Sequence, residues 1–453
     1  MEMHEYLDTL SEQIRCKKAR PMVVEEIENH INDQAEAYVK DGMEKNAAWD
    51  KAVTEMGDPV EAGVALDRVH RPRMQWELVI LVALLSLAGL VIQIVIFKTG
   101  CLSNDSNVTT VRDDFIVNAV LNTLIGLAVI AVVCALDYSF LGKHPVAVWW
   151  TGCICLLVCH FVQNSLPYSL RFTLGYYIVT FMTPMFAAVV FCYRGKGMKG
   201  LLKCILLYAL AILTAVRASL TAGGVVELSI AALFILTIAI LKGWFGEKKA
   251  GRLALIWIPA VILPGILAAS AFRTEGGALL SDYQAARIRA IVTQSEESYY
   301  IKTIKEEMDH VSLLGNKELP LESLPAIQND YVVTSMLTYF GVIFTVAVLA
   351  IAAYFLWKAF RLSFKQKNQL GSIISLGCVC LLFVKSMLYL LSNIAVFNVF
   401  AQMSMPFLSY GLGNAVVNGV LVGLLLSVYR NTDIVSEKRI RSRYVFRSPI
   451  QKI

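Results

Sequence analysis

Three places in this 453-residue chain could carry chemistry. Asp330, in LPAIQNDYVVTSM, stands at the mouth of a long apolar run. A carboxylate at a membrane lip, in a partly dry cleft, has its pKa raised far enough to take a proton as a general base. An acid in that position also serves as a helix N-cap, which is the commoner role for the residue type. Lys385, in FVKSMLYLL, lies in the middle of another apolar run, too deep to snorkel, so it must face the protein interior and meet an anionic head group or a carboxylate. The third place is Met405-Pro406-Phe407-Leu408-Ser409-Tyr410-Gly411-Leu412-Gly413-Asn414. A proline followed by Ser409, Tyr410 and two glycines makes a tight polar turn that a ligand or another backbone can approach closely. Arg217 and Glu227 flank the short segment ASLTAGGVV and mark a water interface there.

These residues need a frame, and the composition says which kind. The chain is 57% hydrophobic and charged at only 17% of positions, against about a quarter in soluble chains. The charge is uneven: residues 1–73 hold 10 Lys and Arg against 16 Asp and Glu, and the rest hold 31 against 19. An acidic soluble domain therefore precedes a basic, lipid-embedded one. A helix needs about 20 apolar residues to cross the hydrocarbon core. The pattern predicts an all-α polytopic protein with ten spans, near 77–97, 116–136, 146–163, 174–193, 201–216, 226–241, 253–272, 332–357, 371–391 and 407–429, the fifth short and interrupted. Pro184, Pro259 and Pro264 would kink their helices and free local backbone groups.

Sidedness follows from the basic residues. With the N-terminus in the cytoplasm, the inner loops and tail collect 19 Lys and Arg and the short outer loops only four. Both termini are then inside. The 59-residue segment 273–331 lies outside, with alternating charge and apolar residues at helical spacing that suit a cover over the membrane part.

The first 73 residues read as a small cytoplasmic helical domain. Val24, Ile27, Ile31, Ala35 and Tyr38 recur every three or four positions, Gly42 and Gly57 end helices, and Asp58-Pro59 starts one. The stretch from EYLDTLSEQI to TEMGDP resembles the permease-prefix domain that precedes membrane modules in Gram-positive bacteria, which implies a regulatory or docking role with an unknown cytoplasmic partner. Most of the ten cysteines lie in or beside apolar runs and read as packing residues. Cys101 alone falls in an outer loop. Cys153, Cys155, Cys159 and His160 do not share one helical face, which argues against a metal cluster. No P-loop, dinucleotide fingerprint or nucleophile elbow is present, and nothing calls for a nucleic-acid partner.

MPFLSYGLGN, followed by AVVNGVLVGLLLSVYR, resembles the C-terminal hallmark of the SEDS family (shape, elongation, division and sporulation), (L)PF(I/V)SYGG(S/N) ahead of the last span. Leu324-Pro325 and Asp330 resemble the family's LPE-x-HTDFIF stretch, with Gln328-Asn329 in place of His-Thr. Tyr283-Gln284 with Arg287 resembles its YQ-x-x-R element, and Gly315 and Gly341 fall where family glycines are expected. The likeness covers about residues 76–430, with 431–453 a basic tail. It implies a peptidoglycan glycosyltransferase that polymerises lipid II with a class B penicillin-binding protein as partner. Asp330 would then deprotonate the acceptor hydroxyl, and Arg287, Lys385, Ser409, Tyr410 and Arg217 would form the substrate site. No cofactor is implied, and nothing indicates a divalent cation beside Asp330. Three departures stand out: Ala218-Ser219-Leu220-Thr221 replaces the family's Pro-Asp-Leu-Gly, Thr173-Leu174-Gly175-Tyr176 replaces its Gln-Pro-Ser-Glu, and Leu412 replaces the second glycine of SYGG. A non-catalytic regulator on the same scaffold and a transporter of lipid-linked precursors are the alternative readings.

The charge bias makes one expectation testable. A phosphatase reporter that works only outside the membrane should be inactive when fused at Lys248 and active when inserted near Asp309. The reverse pattern would overturn the assigned sidedness.

Overall fold

The computed structural model describes residues 2–98, 114–162, 168–217, 222–272, 282–293, 299–316, 327–396, 404–432 and 434. Four short helices come first: α1 (Met3–Glu12), α2 (Arg20–Lys40), α3 (Lys45–Glu55) and α4 (Pro59–Val69). They bury their own core of Tyr6, Leu10, Ile14, Val23, Ile31, Ala35 and Val53. The Asp58 carboxylate accepts from the Val60 amide at 2.7 Å, a side-chain cap that starts α4 just ahead of its first proline. Ile434, beyond the last membrane helix, is buried in this same core. Arg73 N–H also donates to the Arg430 carbonyl at 3.3 Å, and Lys18 pairs with Asp137 at 3.8 Å. The small domain and the end of the last helix therefore share one face of the bundle, the near face.

The expected all-α membrane architecture is what the chain adopts, with ten helices among the described residues long and apolar enough to cross a bilayer. They are α5 (Trp76–Lys98), α6 (Phe115–Ala135), α8 (Pro145–Val162), α9 (Tyr168–Cys192), α10 (Gly197–Arg217), α11 (Ala222–Leu241), α12 (Lys249–Ser270), α16 (Val342–Phe364), α17 (Gln369–Asn393) and α18 (Leu412–Arg430). A short helix, α7 (Ser139–Lys143), links α6 to α8. In the central stretch of α17, 83% of residues are buried, against 11% in α12. The first is the post around which the bundle packs, and the second stands at its edge. The fifth span is a full 21-residue helix rather than a short, interrupted one.

Two spans differ from the expected boundaries in ways that matter. The eighth does not run unbroken from residue 332. It begins as α15 (Val332–Ser335), widens into a π turn over Met336–Phe340, and breaks at Gly341 before α16 starts. The last begins at Leu412, not 407, because the preceding residues form a turn. Inside segment 273–331 the described residues form α13 (Asp282–Thr293) and α14 (Tyr299–Asp309) at the far face. Leu324-Pro325, Cys101, residues 218–221 and the tail after Ile434 lie outside the described residues.

The break at Gly341 is held by the segment that follows α14. Val342 N–H donates to the Ser312 carbonyl at 3.0 Å, and Asn316 N–H donates to Thr338 at 2.9 Å. Gly315 and Gly341 face each other with φ of +82° and +87°, and a Cβ on either would collide with the backbone of the other strand of the contact. Both the torsion and the close approach require glycine. Gly341→Ala should therefore lower stability by about 1–3 kcal/mol, read as a drop in the thermal midpoint of the detergent-solubilised protein. An unchanged midpoint would contradict the description of this break.

Candidate functional site

The site is built where irregular backbone sits at the far end of the bundle. Residues 327–330 form a turn ahead of α15, and 405–411 form a second turn ahead of α18. Carbonyls outside regular helix and near the membrane core must find donors within the protein. Here three consecutive carbonyls find five. The Gln328 carbonyl accepts from Gln93 Nε2 of α5 and from Tyr410 N–H, each at 3.0 Å. The Asn329 carbonyl accepts from Ser409 Oγ at 2.7 Å and from Tyr389 Oη of α17 at 2.9 Å. The Asp330 carbonyl accepts from Asn393 Nδ2 at 2.9 Å. Gln93 Nε2 also donates to Leu408 at 2.9 Å, so one amide ties both turns to α5.

Each donor is itself oriented. Tyr389 Oη accepts from Val332 N–H at 2.8 Å while donating to Asn329. Asn393 accepts from Thr334 N–H at 3.1 Å through Oδ1, which leaves its NH₂ for Asp330. Ser409 Oγ accepts from Met405 N–H at 2.8 Å. The 405–411 turn is strained, with Phe407 at φ +67° and Gly411 at φ +126°. Gly89 of α5 lets that turn approach, because a Cβ there would strike the Phe407 carbonyl.

Asp330 is thus fixed by its backbone, with its side chain partly exposed at the far face and electrostatically within reach of Tyr389. Tyr410 turns the other way and stacks on Phe115 at 4.5 Å. Burial pushes its hydroxyl pKa up, and a hydrogen bond with Asn122 partly offsets this, so it stays a protonated donor at neutral pH. Between α5, α6 and α18 a cleft opens below the turn, lined by Gln93, Asn122, Ser409, Tyr410, Asn414 and Asn418 among others.

The structure brings Asp330, Ser409 and Tyr410 into one unit. Arg287 lies on α13 and Arg217 ends α10, but their side chains are outside the described residues. The neighbouring Arg289 donates to the Ala271 carbonyl at 2.9 Å and caps α12. Lys385 is 2% exposed, and its ammonium lies 5.4 Å from the Tyr176 ring centre and 3.5 Å from Asn418 Oδ1. Of the two partners anticipated for it, the structure supplies the carboxylate. That group is Glu227, 2% exposed on α11, which meets the same Tyr176 side chain and stands beyond ion-pair distance, yet near enough for its charge to act on Lys385. Glu227 therefore does not mark a water interface. Because α11 starts at Ala222, this residue sits well inside the bundle, where Tyr176 Oη donates to its carboxylate at 3.0 Å. Sequence reasoning also missed Gln93, Tyr389 and Asn393. Their signal was a strong hydrogen-bonding group in an otherwise apolar span, which demands a partner.

Fold and site define a polytopic membrane protein whose far-face turns meet in one hydrogen-bonded unit. The chain belongs to the Cell cycle protein family of FtsW, RodA and SpoVE, the SEDS proteins, whose model matches residues 75–434. A probable peptidoglycan glycosyltransferase FtsW from Thioalkalivibrio sp. (strain K90mix) is 29% identical over 129 residues, 28% of this chain and 32% of that protein. The chain thus spans about a third of that relative's length in the match. Among solved structures, a chain of a peptidoglycan synthase complex that coordinates polymerization and crosslinking superposes with a TM-score of 0.60 at 14% identity, over 79% of this chain and 98% of that one. A variant of the Thermus thermophilus rod shape determining protein RodA gives 0.50 at 14% identity, over 79% and 98%. At such identities the superpositions speak for the fold alone.

The donors to the Asn329 carbonyl generate a stability prediction. Ser409→Ala removes a hydroxyl with two backbone partners, and Tyr389→Phe removes another. Each should cost about 1–3 kcal/mol, measured as a lowered thermal midpoint. Midpoints equal to that of the unaltered protein would show that the two turns are not joined as described.

Proposed function

We propose that this protein is a peptidoglycan glycosyltransferase that polymerises lipid II at the outer face of the cytoplasmic membrane, with Asp330 as its general base. The observation that carries the proposal is the hydrogen-bonded union of the Asp330 turn with the Ser409-Tyr410-Gly411 turn. Membership of the FtsW, RodA and SpoVE family supports it, as does the name of the Thioalkalivibrio relative.

In this reading the carboxylate takes the proton of the acceptor sugar hydroxyl as that oxygen attacks the anomeric carbon of the donor. The bond from that carbon to the lipid pyrophosphate breaks, and the pyrophosphate leaves with the electron pair. A cationic group near the departing oxygens lowers the barrier by stabilising the charge that develops there. Arg287 on α13 is assigned that role, with Arg217 at the end of α10 as a further contact and Ser409 and Tyr410 lining the acceptor side. Lys385, enclosed in the bundle, serves the site from a distance rather than by touching the pyrophosphate. The far face is the outer one by the charge bias of the loops. A class B penicillin-binding protein is the proposed partner, in line with the synthase complex that this fold resembles. The prefix resemblance points to a Gram-positive source.

Asp330→Asn should reduce glycan formation from purified lipid II by about 10²–10⁴-fold in the presence of the penicillin-binding partner, with the thermal midpoint preserved. Equal polymerisation by both forms would remove Asp330 from the mechanism. A folded wild-type complex that makes no glycan would favour the regulator reading.

A further inference from the structure

The Glu227, Lys385 and Tyr176 cluster lies apart from the Asp330 turn, yet a line of hydrogen bonds joins the two. Lys385 Nζ donates to Asn418 Oδ1 at 3.5 Å. Asn418 Nδ2 donates to Asn414 Oδ1 at 2.7 Å, and Ser404 Oγ donates to the same oxygen at 2.9 Å. Asn414 Nδ2 then donates to the carbonyls of Ser409 at 3.0 Å and Met405 at 3.3 Å. Ser409 holds the Asn329 carbonyl, one residue before Asp330.

The two ends of this line impose the same sense on it. An ammonium has donors and no acceptor, and a backbone carbonyl accepts and never donates. Each asparagine between them can flip, so its orientation is set by its neighbours. With a donor-only group at one end and acceptor-only groups at the other, both amides must point one way. Asn414, Asn418, Lys385 and Glu227 are each at least nine-tenths buried, so water does not supply a substitute partner freely. The Glu227 carboxylate, itself held by Tyr176, offsets the cost of keeping the ammonium there.

We infer that Lys385 is a positioning residue whose ammonium, seated beside Glu227 and Tyr176, sets the sense of the Asn418–Asn414 relay and so fixes the Ser409 turn and the Asp330 segment joined to it. As a contribution to catalysis this rests on the proposed polymerase reading. As a structural statement it does not, and the test separates the two.

The experiment compares hydrogen exchange across residues 404–411 in the full-length protein, in Glu227→Gln, in the charge-neutral double variant Glu227→Gln with Lys385→Met, and in Asn418→Leu. Glu227→Gln keeps the amine and should keep the protection. The double variant and Asn418→Leu should each exchange at least about tenfold faster in 404–411, while α9 and the prefix helices exchange as before. Lipid II turnover by those two variants should fall at least about tenfold in kcat with KM unchanged, and Lys385→Arg should restore most of it. Protection in the double variant equal to that in Glu227→Gln would overturn the inference. So would faster exchange spread evenly over α9 and the prefix, because that is general loosening. If wild type makes no glycan, the polymerase reading fails and the exchange result still decides the relay.

Discussion

Three backbone carbonyls in a row, those of Gln328, Asn329 and Asp330, are the constraint on which the far end of this bundle depends. They belong to irregular chain at the end of a membrane helix, where an unpaired carbonyl costs several kcal/mol. Donors from α5, α17 and the turn before α18 converge on them. Capturing the carbonyls fixes the Cα of Asp330 through its backbone. The residue proposed as the base is then placed by its main chain, and Ser409 and Tyr410 of the second turn are held in the same unit.

The rest of the far face follows from that arrangement. The eighth span is not one straight helix: it breaks through a π turn at Gly341, where the segment carrying Gly315 packs against it. The 405–411 turn must come close to α5, which is why Gly89 carries no side chain and Phe407 takes a left-handed torsion. Gly413 is similarly forced, since a Cβ there would fall on the Tyr177 hydroxyl. Deeper in the bundle, the most buried helix carries the cation that the polar line begins from. An acid on α11 balances it, where the family stretch at Tyr176 would have carried a carboxylate of its own.

Much of this was legible in the residues. Apolar runs of about 20 gave nine of the ten spans to within about six positions, because span length is set by bilayer thickness and not by partners, while the long helix of the eighth starts ten residues later than expected. Ser409, Tyr410 and Asp330 announced themselves by type and place. The break before α16 was not legible, since nothing in Val332 to Phe340 but the hydroxyls of Thr334, Ser335, Thr338 and Tyr339 interrupts the apolar run, and the contact with Gly315 shows why it stops. Glu227 was misplaced for a related reason. Hydropathy locates the ends of an apolar run poorly when a charged residue lies inside it, so a buried acid was read as a surface one. Tyr389 and Asn393 were overlooked because isolated polar groups in a span reveal a need for a partner without naming it.

Sugar transfer, as proposed, takes place beside the joined turns at the far face. Photo-crosslinking with a lipid II analogue that carries a diazirine on its disaccharide tests this most directly, with the sites read by mass spectrometry of the complex. Crosslinks should fall on residues 327–332 and 405–411 and be competed away by unlabelled lipid II. Competable crosslinks confined to the near face, or to helices that do not border these turns, would contradict it.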